Sequence, residues 1–469
     1  MPKTKENASA SSASHHAATK PEMLKKPERR SVKSYVRMFG MKDCSISDSQ
    51  YFDIARLKAE ELCACYGFDH LETPILENID LYKKNSRKAN EKEIYALTGE
   101  KNERMCLRPE LTQGMIRHYV EQKLDEVESP LRIFSIGQVF RNEKLQNNSQ
   151  RQFTQFDLEI IKDKKPIAEA MVISLAYHFF KDLGIDIQVQ INSLGGAECR
   201  KEYGHKLATF YRERGRRSKV CHHCKQNLLK NILSLLDCKE ESCVKLREEA
   251  PQIADFWSNE SRDHFKKICE YLDELDIPYN FNPFLVRGLN YYNDAVFEFW
   301  PVNDAGIAQS KYSLAGGGRC DELVENMGGK PSSVVGLAIG LERTATKMRD
   351  RHYQLPGAED NLVFIAQLSD LAKLKSLQLF DELRQAGFKI RQSFSTDSLK
   401  TQMEEAVRVK AKISLIMGKK EVMDETILMR DMDSTVQEIV PVKKIKEKLA
   451  KKIDLSNNES KLINIIKHI

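Results

Sequence analysis

Side-chain character alternates along two segments, Leu131–Phe140 and Arg151–Ile160, which the polar stretch Lys144–Gln150 separates. Alternate side chains of a β-strand share a face, so the polar groups collect on one side. That face carries Ser135, Gly137, Val139, Arg141, Arg151, Phe153, Gln155, Asp157 and Glu159. Guanidinium groups bind phosphate and carboxylate, and glutamine and glutamate add polar contacts, so the face suits a charged ligand. A plain solvent-exposed face is the alternative that the alternation leaves open.

A second group of chemically capable residues is the cysteine series Cys221-x2-Cys224-x13-Cys238-x4-Cys243. Two close pairs joined by a helix-length spacer suit a tetrahedral structural zinc ion. His222 and His223 are spare donors in the same stretch. The alternative is four ordinary reduced thiols, because the second pair is more widely spaced than is usual.

The polar face requires two antiparallel strands joined by a long loop. The opposite face is apolar and predicts a core made of Phe134, Ile136, Phe140, Phe156, Leu158 and Ile160. Further strands are predicted at His70–Leu76 (interrupted by Pro74), 285–300, 308–316 and Ser333–Ile339, with a turn at Gly316–Gly318 and helices from Ser49 and Gly340. Many strands without regular helical crossovers predict an α+β fold, an antiparallel sheet with flanking helices.

The pattern along the chain predicts seven segments. They are a disordered basic tail (1–35), the first part of the main domain (36–195), an inserted helical domain with the cysteines (196–280), the second part of the main domain (281–348), a linker (349–361), a C-terminal α/β domain (362–452) and a tail (453–469). In the C-terminal domain, strands at 362–367, 388–391 and 413–417 alternate with helices at 371–386 and 398–411. This alternation predicts a mostly parallel sheet.

Composition excludes several classes of protein. The 469 residues are 41% hydrophobic and 30% charged, which is typical of a globular chain of two or three domains. No apolar run is long enough for a membrane span, and eleven cysteines without a secretion signal predict reduced thiols in the cytoplasm. Residues 1–33 account for +5 of the formal net charge of +6. We interpret this tail as an inert solvated segment in preference to a weak RNA-binding arm.

Several motifs resemble those of class II aminoacyl-tRNA synthetases. Phe140–Glu143 with Arg151–Glu159 resembles motif 2, Gly336–Arg343 resembles motif 3, and the helix–strand unit ending at Pro74 resembles motif 1. The amino acid is indicated by Leu285–Tyr292 followed by Phe297-Glu298, which is similar to the signature peptide of histidyl-tRNA synthetases. Gly316–Asp321 resembles their second signature, and Leu107–Glu110 their loop before motif 2. The resemblance runs in the family's order from about Met38 to about residue 445.

The resemblance implies a catalytic site for activating histidine with ATP and Mg²⁺. In-line attack on the α-phosphate depends on positioning and on charge stabilisation by arginine and Mg²⁺. The family's pattern puts Arg141 on the α-phosphate and the histidine carboxylate, Arg287 opposite it as a second catalytic arginine, and Arg343 on the γ-phosphate. Glu143 and Arg151 complete the ATP-binding set.

The resemblance also implies how histidine is recognised. A site that hydrogen-bonds both imidazole nitrogens rejects analogues by leaving its own polar groups unpaired. The implied histidine-binding residues are Glu110, Thr112, Arg141, Gln155, Glu159, Arg287, Leu289, Tyr291 and Tyr292. Among them, Glu159 and Tyr292 match the imidazole contacts, whereas Glu110, Thr112 and Gln155 match those around the α-amino group. Gly316–Gly318 would let the backbone approach the ligand closely.

The chain departs from the family pattern at four positions. Ser149 replaces a motif 2 arginine, Cys320 replaces the signature tyrosine, and Asn290 and Asn142 stand where aspartate and histidine are usual. The first two changes remove a phosphate contact and a histidine contact. Lys144 and Arg319 are the candidates to compensate for them.

The implied partners are histidine, ATP and tRNA(His), in a homodimer formed through motif 1. Lys144 and Gln146 would reach the acceptor end of the tRNA, and 362–452 resembles an anticodon-binding domain. Two alternatives remain open. A non-catalytic regulatory or binding relative is opposed by the presence of Arg287 and of the C-terminal domain. A synthetase for threonine, proline or glycine is opposed by the peptide 285–292.

Overall fold

The computed structural model describes residues 35–84, 93–100, 102–127, 129–143, 150–229, 231–288, 291–303, 308, 312–355 and 361–453. The chain separates into a short unit, Met1–Phe39, and a large unit, Gly40–Ile469. Of the short unit, residues 35–39 are described, and they form neither helix nor strand. Within the described ranges, no helix combines the length and the apolar character that a bilayer span demands.

The strands of the large unit build three sheets. In chain order they are β1 (Asp69–His70), β2 (Leu76–Asn78), β3 (Ala96–Thr98), β4 (Arg104–Leu107), β5 (Leu131–Phe140), β6 (Gln152–Ile161), β7 (Ile187–Ser193), β8 (Tyr279–Phe281), β9 (Asn293–Pro301), β10 (Ala315–Arg319), β11 (Val334–Gly340), β12 (Leu362–Gln367), β13 (Lys389–Gln392), β14 (Ile413–Met417), β15 (Thr426–Asp431) and β16 (Gln437–Pro441). The largest sheet has the order β1-β5-β6-β11-β10-β9-β7-β8. Its pairs are antiparallel except at the two edges, where β1–β5 and β7–β8 are parallel.

The helices flank these sheets. In chain order they are α1 (Ile46–Tyr66), α2 (Ile79–Lys84), α3 (Thr112–Glu121), α4 (Pro166–Asp182), α5 (Ala197–Arg212), α6 (Arg214–Lys219), α7 (His222–Asn227), α8 (Glu241–Glu248), α9 (Asn259–Glu274), α10 (Glu322–Asn326), α11 (Leu341–Asp350), α12 (Asp370–Gln385), α13 (Leu399–Arg408), α14 (Lys419–Met423) and α15 (Ile445–Lys452). Short 3-10 helices lie at Leu124–Glu126, Ile232–Leu235, Ile253–Phe256 and Val442–Lys444.

Both ends of α1 are set by local sequence. The Ser45 hydroxyl accepts a hydrogen bond from the Asp48 amide at 3.1 Å, which satisfies one of the free amides at the helix start. Gly67 ends the helix at φ 73°, a left-handed conformation that costs glycine little, and its amide donates to the Ala64 carbonyl. The helix therefore begins and ends where the sequence pattern predicts, within three residues.

The two faces of the large sheet have opposite chemistry. One face packs Phe134, Phe156, Leu158 and Ile160 into a core with α1 and α4, as the sequence predicts. The other face carries buried polar side chains, namely Ser135, Gln155, Asp157 and Glu159. A buried polar group is costly unless it has a partner, so this second face is shaped for a ligand and is not a solvated surface.

The inserted region leaves the sheet after β7 and returns at β8, which pairs with β7 in parallel. It consists of α5 to α9 and two 3-10 helices. Its interior shares one apolar cluster with the signature segment, since Leu207, Leu235 and Leu246 pack in the same cluster as Tyr291 and Tyr292.

The C-terminal sheet has the order β13-β12-β14-β15-β16. β13, β12 and β14 are parallel, whereas β15 and β16 join in antiparallel fashion. The prediction of a mostly parallel sheet was wrong, because the pattern of 426–441 gave no strand and the two antiparallel strands went unrecognised. The alternation of α/β elements up to β14 agrees with the structure.

Three further predictions in the main sheet were wrong. The strand predicted at 285–300 begins only at Asn293, and the Leu285 carbonyl at the start of the predicted range accepts from the Asn192 side chain and not from the main chain of a neighbouring strand. Gly316–Gly318 does not form a turn but lies inside β10, hydrogen-bonded to strands on both sides. The strand predicted at His70–Leu76 is two pieces, β1 and β2, with Pro74 in the exposed gap between them.

Candidate active site

Two rows of paired residues cross the polar face of the large sheet. The first row runs Ser135, Asp157, Ala338, Gly316, Glu298, and the second runs Ile133, Glu159, Gly336, Gly318, Val296. Directly paired residues point to the same side of a sheet, and neighbouring strands lie about 4.8 Å apart. Asp157 and Gly316 are therefore roughly 10 Å apart on one face. Gly316, Gly318 and Gly336, together with the small Ala338, leave the floor between the carboxylates and Glu298 free of large side chains.

Glu159 lies almost wholly buried beside Gly336. Its Oε2 atom has no hydrogen-bond partner among the described residues. A methyl carbon at position 336 would overlap this carboxylate, so the absence of a side chain is what gives Glu159 its place. Burial raises the pKa of Glu159 well above its usual range, against the Thr112 hydrogen bond, which lowers it. A cationic or N–H-bearing ligand would restore the charged form.

Asp157 is the residue that sequence reasoning placed on the face but omitted from the site. It is fully buried, and neither carboxylate oxygen has a hydrogen-bond partner in the described part of the chain. The Leu111 amide lies near it without meeting hydrogen-bond geometry. Burial and the nearby Glu110 raise the pKa of Asp157, while Arg141 lowers it. The sequence could have indicated this role, because Asp157 alternates with the predicted site residues Gln155 and Glu159 on one face of β6.

Glu110 and Thr112 stand at the start of α3, over the same face. Glu110 is buried, and it accepts a hydrogen bond from the Gln113 amide at 2.9 Å. Burial raises the pKa of Glu110 to about 7, although the Gln113 amide and Arg141 both lower it. With Glu159 and Asp157, three carboxyl groups converge on one volume. Like charges in a buried site disfavour one another, so the site requires positive charge from a ligand.

Arg141 follows β5 and turns toward these carboxyl groups. Its Nε donates to the Pro109 carbonyl at 2.9 Å, and its guanidinium lies over the Phe153 ring at 5.0 Å. These contacts leave the terminal nitrogens of the guanidinium directed into the site, where Arg141 lowers the pKa values of Glu110 and Asp157. The planar donor is thus held in one orientation before any ligand arrives.

Arg287 enters from the signature segment on the other side of the glycine floor. Its Nη1 contacts Glu298 Oε1 at 2.5 Å, and its guanidinium lies 5.6 Å from the Tyr292 ring centroid. A methyl carbon at Gly316 would overlap this guanidinium. Burial would lower the pKa of Arg287, but Glu298 and Tyr292 raise it, so the arginine stays charged.

Arg343, in the first turn of α11, completes the charged rim. Its guanidinium lies 4.9 Å from the Tyr312 ring centroid, and burial and Arg141 lower its pKa while Glu143 raises it. The neighbouring Glu342 accepts the Thr154 amide at 2.8 Å, which fastens α11 to β6. Arg151 is anchored by its main chain, whose carbonyl accepts from the Arg141 amide at 2.8 Å. Arg141, Arg343 and Glu143 therefore interact at one end of the site, and the main chain of Arg151 lies beside that of Arg141.

Some of the predicted site residues lie outside the part of the chain that the structure describes. Leu289, Lys144 and Gln146 lie outside the described residues, as do Ser149 and Asn290. Tyr291 and Tyr292 are buried against each other with ring centroids 4.8 Å apart. Cys320 is buried, and burial and Glu159 raise the pKa of its thiol, so it is an inert part of the wall.

Arg319 does not replace a lost phosphate contact. Its Nε and Nη2 donate to the two carboxylate oxygens of Glu169, each at 2.7 Å, and both side chains are buried. His264 Nε2 lies 2.7 Å from Glu169 Oε1. The interpretation of Arg319 as a compensating group was wrong, because its guanidinium is fully used in joining β10 to α4.

An antiparallel sheet with arginines and carboxylates on a glycine-lined face, followed by a separate α/β sheet, defines a class II aminoacyl-tRNA synthetase. The histidyl-tRNA synthetase family profile matches residues 40–344, and an anticodon-binding domain profile matches 363–452. Histidine–tRNA ligases of Thermosipho melanesiensis (33% identical) and Dehalococcoides mccartyi (32%) align with 86% and 88% of this chain, and with 95% and 99% of their own. The chain belongs to the histidyl-tRNA synthetase family.

Solved structures agree with this assignment. The crystal structure of apo Staphylococcus aureus histidyl-tRNA synthetase superimposes with a TM-score of 0.73 at 27% identity, covering 89% of this chain and 100% of that one. A Bacillus halodurans protein described as an ATP phosphoribosyltransferase regulatory subunit/histidyl-tRNA synthetase shares the fold at a TM-score of 0.57 and 19% identity, over 85% of this chain and 99% of its own. The fold is therefore shared with a chain whose description includes a regulatory subunit.

Proposed function

We propose that this chain is a histidine–tRNA ligase, an enzyme that activates histidine with ATP and esterifies it to tRNA(His). The observation that carries the proposal is the face of the large sheet on which Asp157, Glu159 and Glu110 lie between Arg141 and Arg287. Such a face can hold a zwitterion that also has an imidazole ring, with its carboxylate directed at arginine.

The carboxyl groups would divide the positive and N–H-bearing parts of histidine between them. Glu110, Thr112 and Gln155 are proposed to bind the α-ammonium group, with Asp157 as a further counter-charge. Glu159 and Tyr292 would hold the two imidazole nitrogens above Gly336. The unpartnered Oε2 of Glu159 supports this division, because a buried acceptor without a partner is costly until a ligand supplies the donor.

The arginines would hold the reacting phosphate. In the first step the histidine carboxylate oxygen attacks the α-phosphorus of ATP, the bond to the bridging oxygen breaks, and pyrophosphate leaves with its electron pair. Arg141 and Arg287 are proposed to stabilise the phosphoryl oxygens and to align the carboxylate, and Arg343 to bind the γ-phosphate with Arg151 nearby. In the second step a terminal ribose hydroxyl of the tRNA attacks the activated carbonyl carbon and loses its proton, the bond from that carbon to the phosphate oxygen breaks, and AMP leaves with the electron pair.

Mg²⁺ would arrive with ATP and neutralise charge on the phosphate oxygens. Glu143 is exposed at the rim and near Arg343, so it fits a carboxylate ligand for this ion. Arg287 would exchange its contact with Glu298 for contacts with substrate. The protein thus supplies buried carboxyl groups for the cationic parts of histidine and, from Arg141 and Arg287 on either side of them, fixed positive charge for the phosphate.

We also propose how the chain binds tRNA, where it forms a dimer and where in the cell it acts. Lys144 and Gln146 would approach the acceptor end, and the sheet β12–β16 would bind the anticodon. Ile75 and Leu76 are exposed beside Pro74, which supports a homodimer interface at this edge. We place the activity in the cytoplasm, without a membrane partner.

The test is exchange of labelled pyrophosphate into ATP with single amino acids, followed by charging of tRNA(His). Exchange should depend on histidine and be absent with threonine, proline and glycine. Absence of exchange with every amino acid would favour the regulatory reading, whereas exchange with threonine alone would overturn the assignment of the pocket.

A further inference from the structure

A second cluster of reactive side chains lies in the inserted region, away from the reacting groups. Cys221 precedes α7, Cys224 lies within it, Cys238 follows the 3-10 helix Ile232–Leu235, and Cys243 lies in α8. Their four Sγ atoms all lie within 4.8 Å of one another. All four cysteines are free thiols, so no disulfide explains their convergence.

The spacing of the sulfur atoms fits one metal ion. A tetrahedral zinc ion with Zn–S bonds of about 2.3 Å places its sulfur ligands about 3.8 Å apart. Cys221 Sγ and Cys238 Sγ are 3.8 Å apart, and so are Cys243 Sγ and Cys224 Sγ. A disulfide would need about 2.05 Å, so the sulfurs are spaced for a shared ion and not for bonds to one another.

The surroundings of the sulfurs support thiolate ligands. The Cys221 amide donates to Cys243 Sγ at 3.2 Å, and the Cys224 amide donates to Cys221 Sγ at 3.4 Å. Such N–H groups stabilise negative charge on metal-bound sulfur. His222 and His223, predicted as spare donors, are exposed, and neither joins the group of possible metal ligands that the described residues form. A set of four sulfur donors selects zinc over magnesium or calcium.

We propose that Cys221, Cys224, Cys238 and Cys243 bind one structural Zn²⁺, which cross-links the inserted region. Binding releases the thiol protons to solvent and leaves four Zn–S bonds, with no change in oxidation state. The ion joins α7, α8 and the stretch between them, where the elements are short and their own core is small.

The zinc site also supports one wall next to the active site. A cavity of about 540 Å³ lies between α5, the stretch Leu228–Asp237 and the signature residues Val286–Gly288. Asp237, which is adjacent to the ligand Cys238, lines this cavity together with Arg287 and Tyr292. On this wall, Arg200 Nη1 donates to the Tyr292 carbonyl at 3.0 Å. Loss of the metal would loosen the inserted region first and the histidine pocket only secondarily.

Metal content of the purified full-length chain tests the proposal. We expect about one zinc ion per chain by elemental analysis. The Cys238→Ser and Cys243→Ser variants should each lose it. The matched control is the double variant Cys44→Ser with Cys65→Ser, because both of these cysteines are exposed and lie outside the cluster. The control should retain full zinc, and loss of zinc from it would overturn the assignment.

Cobalt substitution keeps the test decisive if the serine variants do not fold. Zinc is removed from the wild-type chain with a chelator, and Co²⁺ is added. Thiolate-to-cobalt charge-transfer bands and the ligand-field spectrum of tetrahedral cobalt are expected. A folded chain that contains no zinc as isolated and gives no such spectrum would refute the site. These readouts do not involve histidine or ATP, so this proposal and the ligase proposal can fail separately.

Discussion

The active site and the cysteine cluster are built in opposite ways. The active site draws its groups from α3, β5, β6, the signature segment and α11, which are separated by more than two hundred residues. The cysteine cluster draws all its groups from residues 221–243. One site exists only after the large sheet has formed, whereas the other needs only a short stretch of chain and an ion.

This difference decides what each site can tolerate. In the active site, glycines at 316 and 336 make room for arginine and glutamate from other segments, so a small change in one strand affects its partners. In the cysteine cluster, metal binding depends on the four cysteines themselves, and neighbouring surface residues contribute little to it. We therefore expect the largest losses from single charges in the active site and the smallest from the surface of the inserted region.

The largest effect is expected from Arg287→Ala. Removing one preorganised donor for a developing charge costs about 10²- to 10³-fold in rate. Histidine-dependent pyrophosphate exchange should fall by that factor, while zinc content stays unchanged. The control is Arg349→Ala, which removes an exposed arginine paired with Asp48. Intact exchange in Arg287→Ala would mean that the active site does not depend on groups brought together by the sheet.

A loss of stability is expected from Glu169→Gln. Glu169 is buried and binds Arg319 through both oxygens, so the change removes the main counter-charge of a buried guanidinium and leaves it only the longer ion pair with Asp321, at 3.4 Å. Breaking such a pair costs about 3 kcal/mol, measured as the free energy of unfolding in urea. The exposed pair of Glu270 and Lys267 provides the control, because Glu270→Gln should leave the urea midpoint unchanged. Equal effects in both variants would refute the structural role of Glu169.

A smaller effect is expected on stability and on histidine affinity when the pH changes, because Glu110 titrates. Its pKa is raised from 4.5 to about 7 in the unliganded protein, so the folded chain holds an extra proton between these values. This contribution to stability is complete below 4.5 and is lost as the pH rises through about 7. Binding of the histidine ammonium group should expel the proton, so affinity should rise up to about tenfold per pH unit below 7.

Calorimetric titration in two buffers of different ionisation enthalpy measures this proton release. Glu110→Gln has no proton to release at this position, so it separates Glu110 from the imidazole of histidine itself. If the variant and the wild-type chain release the same number of protons, the carboxyl group is not the one that titrates.

The smallest effect is expected from Gly215→Ala in α6. No atom lies within 4 Å of the added methyl carbon, and alanine is the better helix former. Stability should increase by at most about 1 kcal/mol, seen as a small rise in melting temperature. Exchange activity and zinc content should not change. A loss of either would show that the surface of the inserted region takes part in one of the two sites.

Sequence reasoning recovered the parts of the molecule that are local or strictly periodic. The hairpin β5–β6 alternates, so most of its core and ligand faces were predicted correctly, and the position of Asp157 followed from the same alternation. Two residues differ, because Phe140 is only half-buried and Val139 packs in an apolar cluster. The cysteines were found from their spacing. The resemblance supplied Arg287, since no pattern in 285–292 indicates which strand it lies over.

The features that sequence reasoning missed or predicted wrongly depend mostly on contacts between segments that are distant in the chain. Gly316–Gly318 looked like a turn, because a glycine run does not reveal that Arg287 and Phe297 need the space above it. Arg319 looked available, because its partner Glu169 is 150 positions away. β15 and β16 were missed because mixed polar and apolar residues in short strands resemble a loop.

The return of the chain at β8, directly beside β7, has an evolutionary consequence. Since the excursion between them starts and finishes on adjacent strands, its length can change without shifting any register in the catalytic sheet. A substitute module would have to restore the apolar packing against Tyr291 and Tyr292, a donor for the Tyr292 carbonyl and a partner for Glu169, which are now supplied by Leu207 and its neighbours, Arg200 and His264. A change in the length of this excursion is therefore expected to leave β7 and β8 paired as they are, provided that these attachments persist.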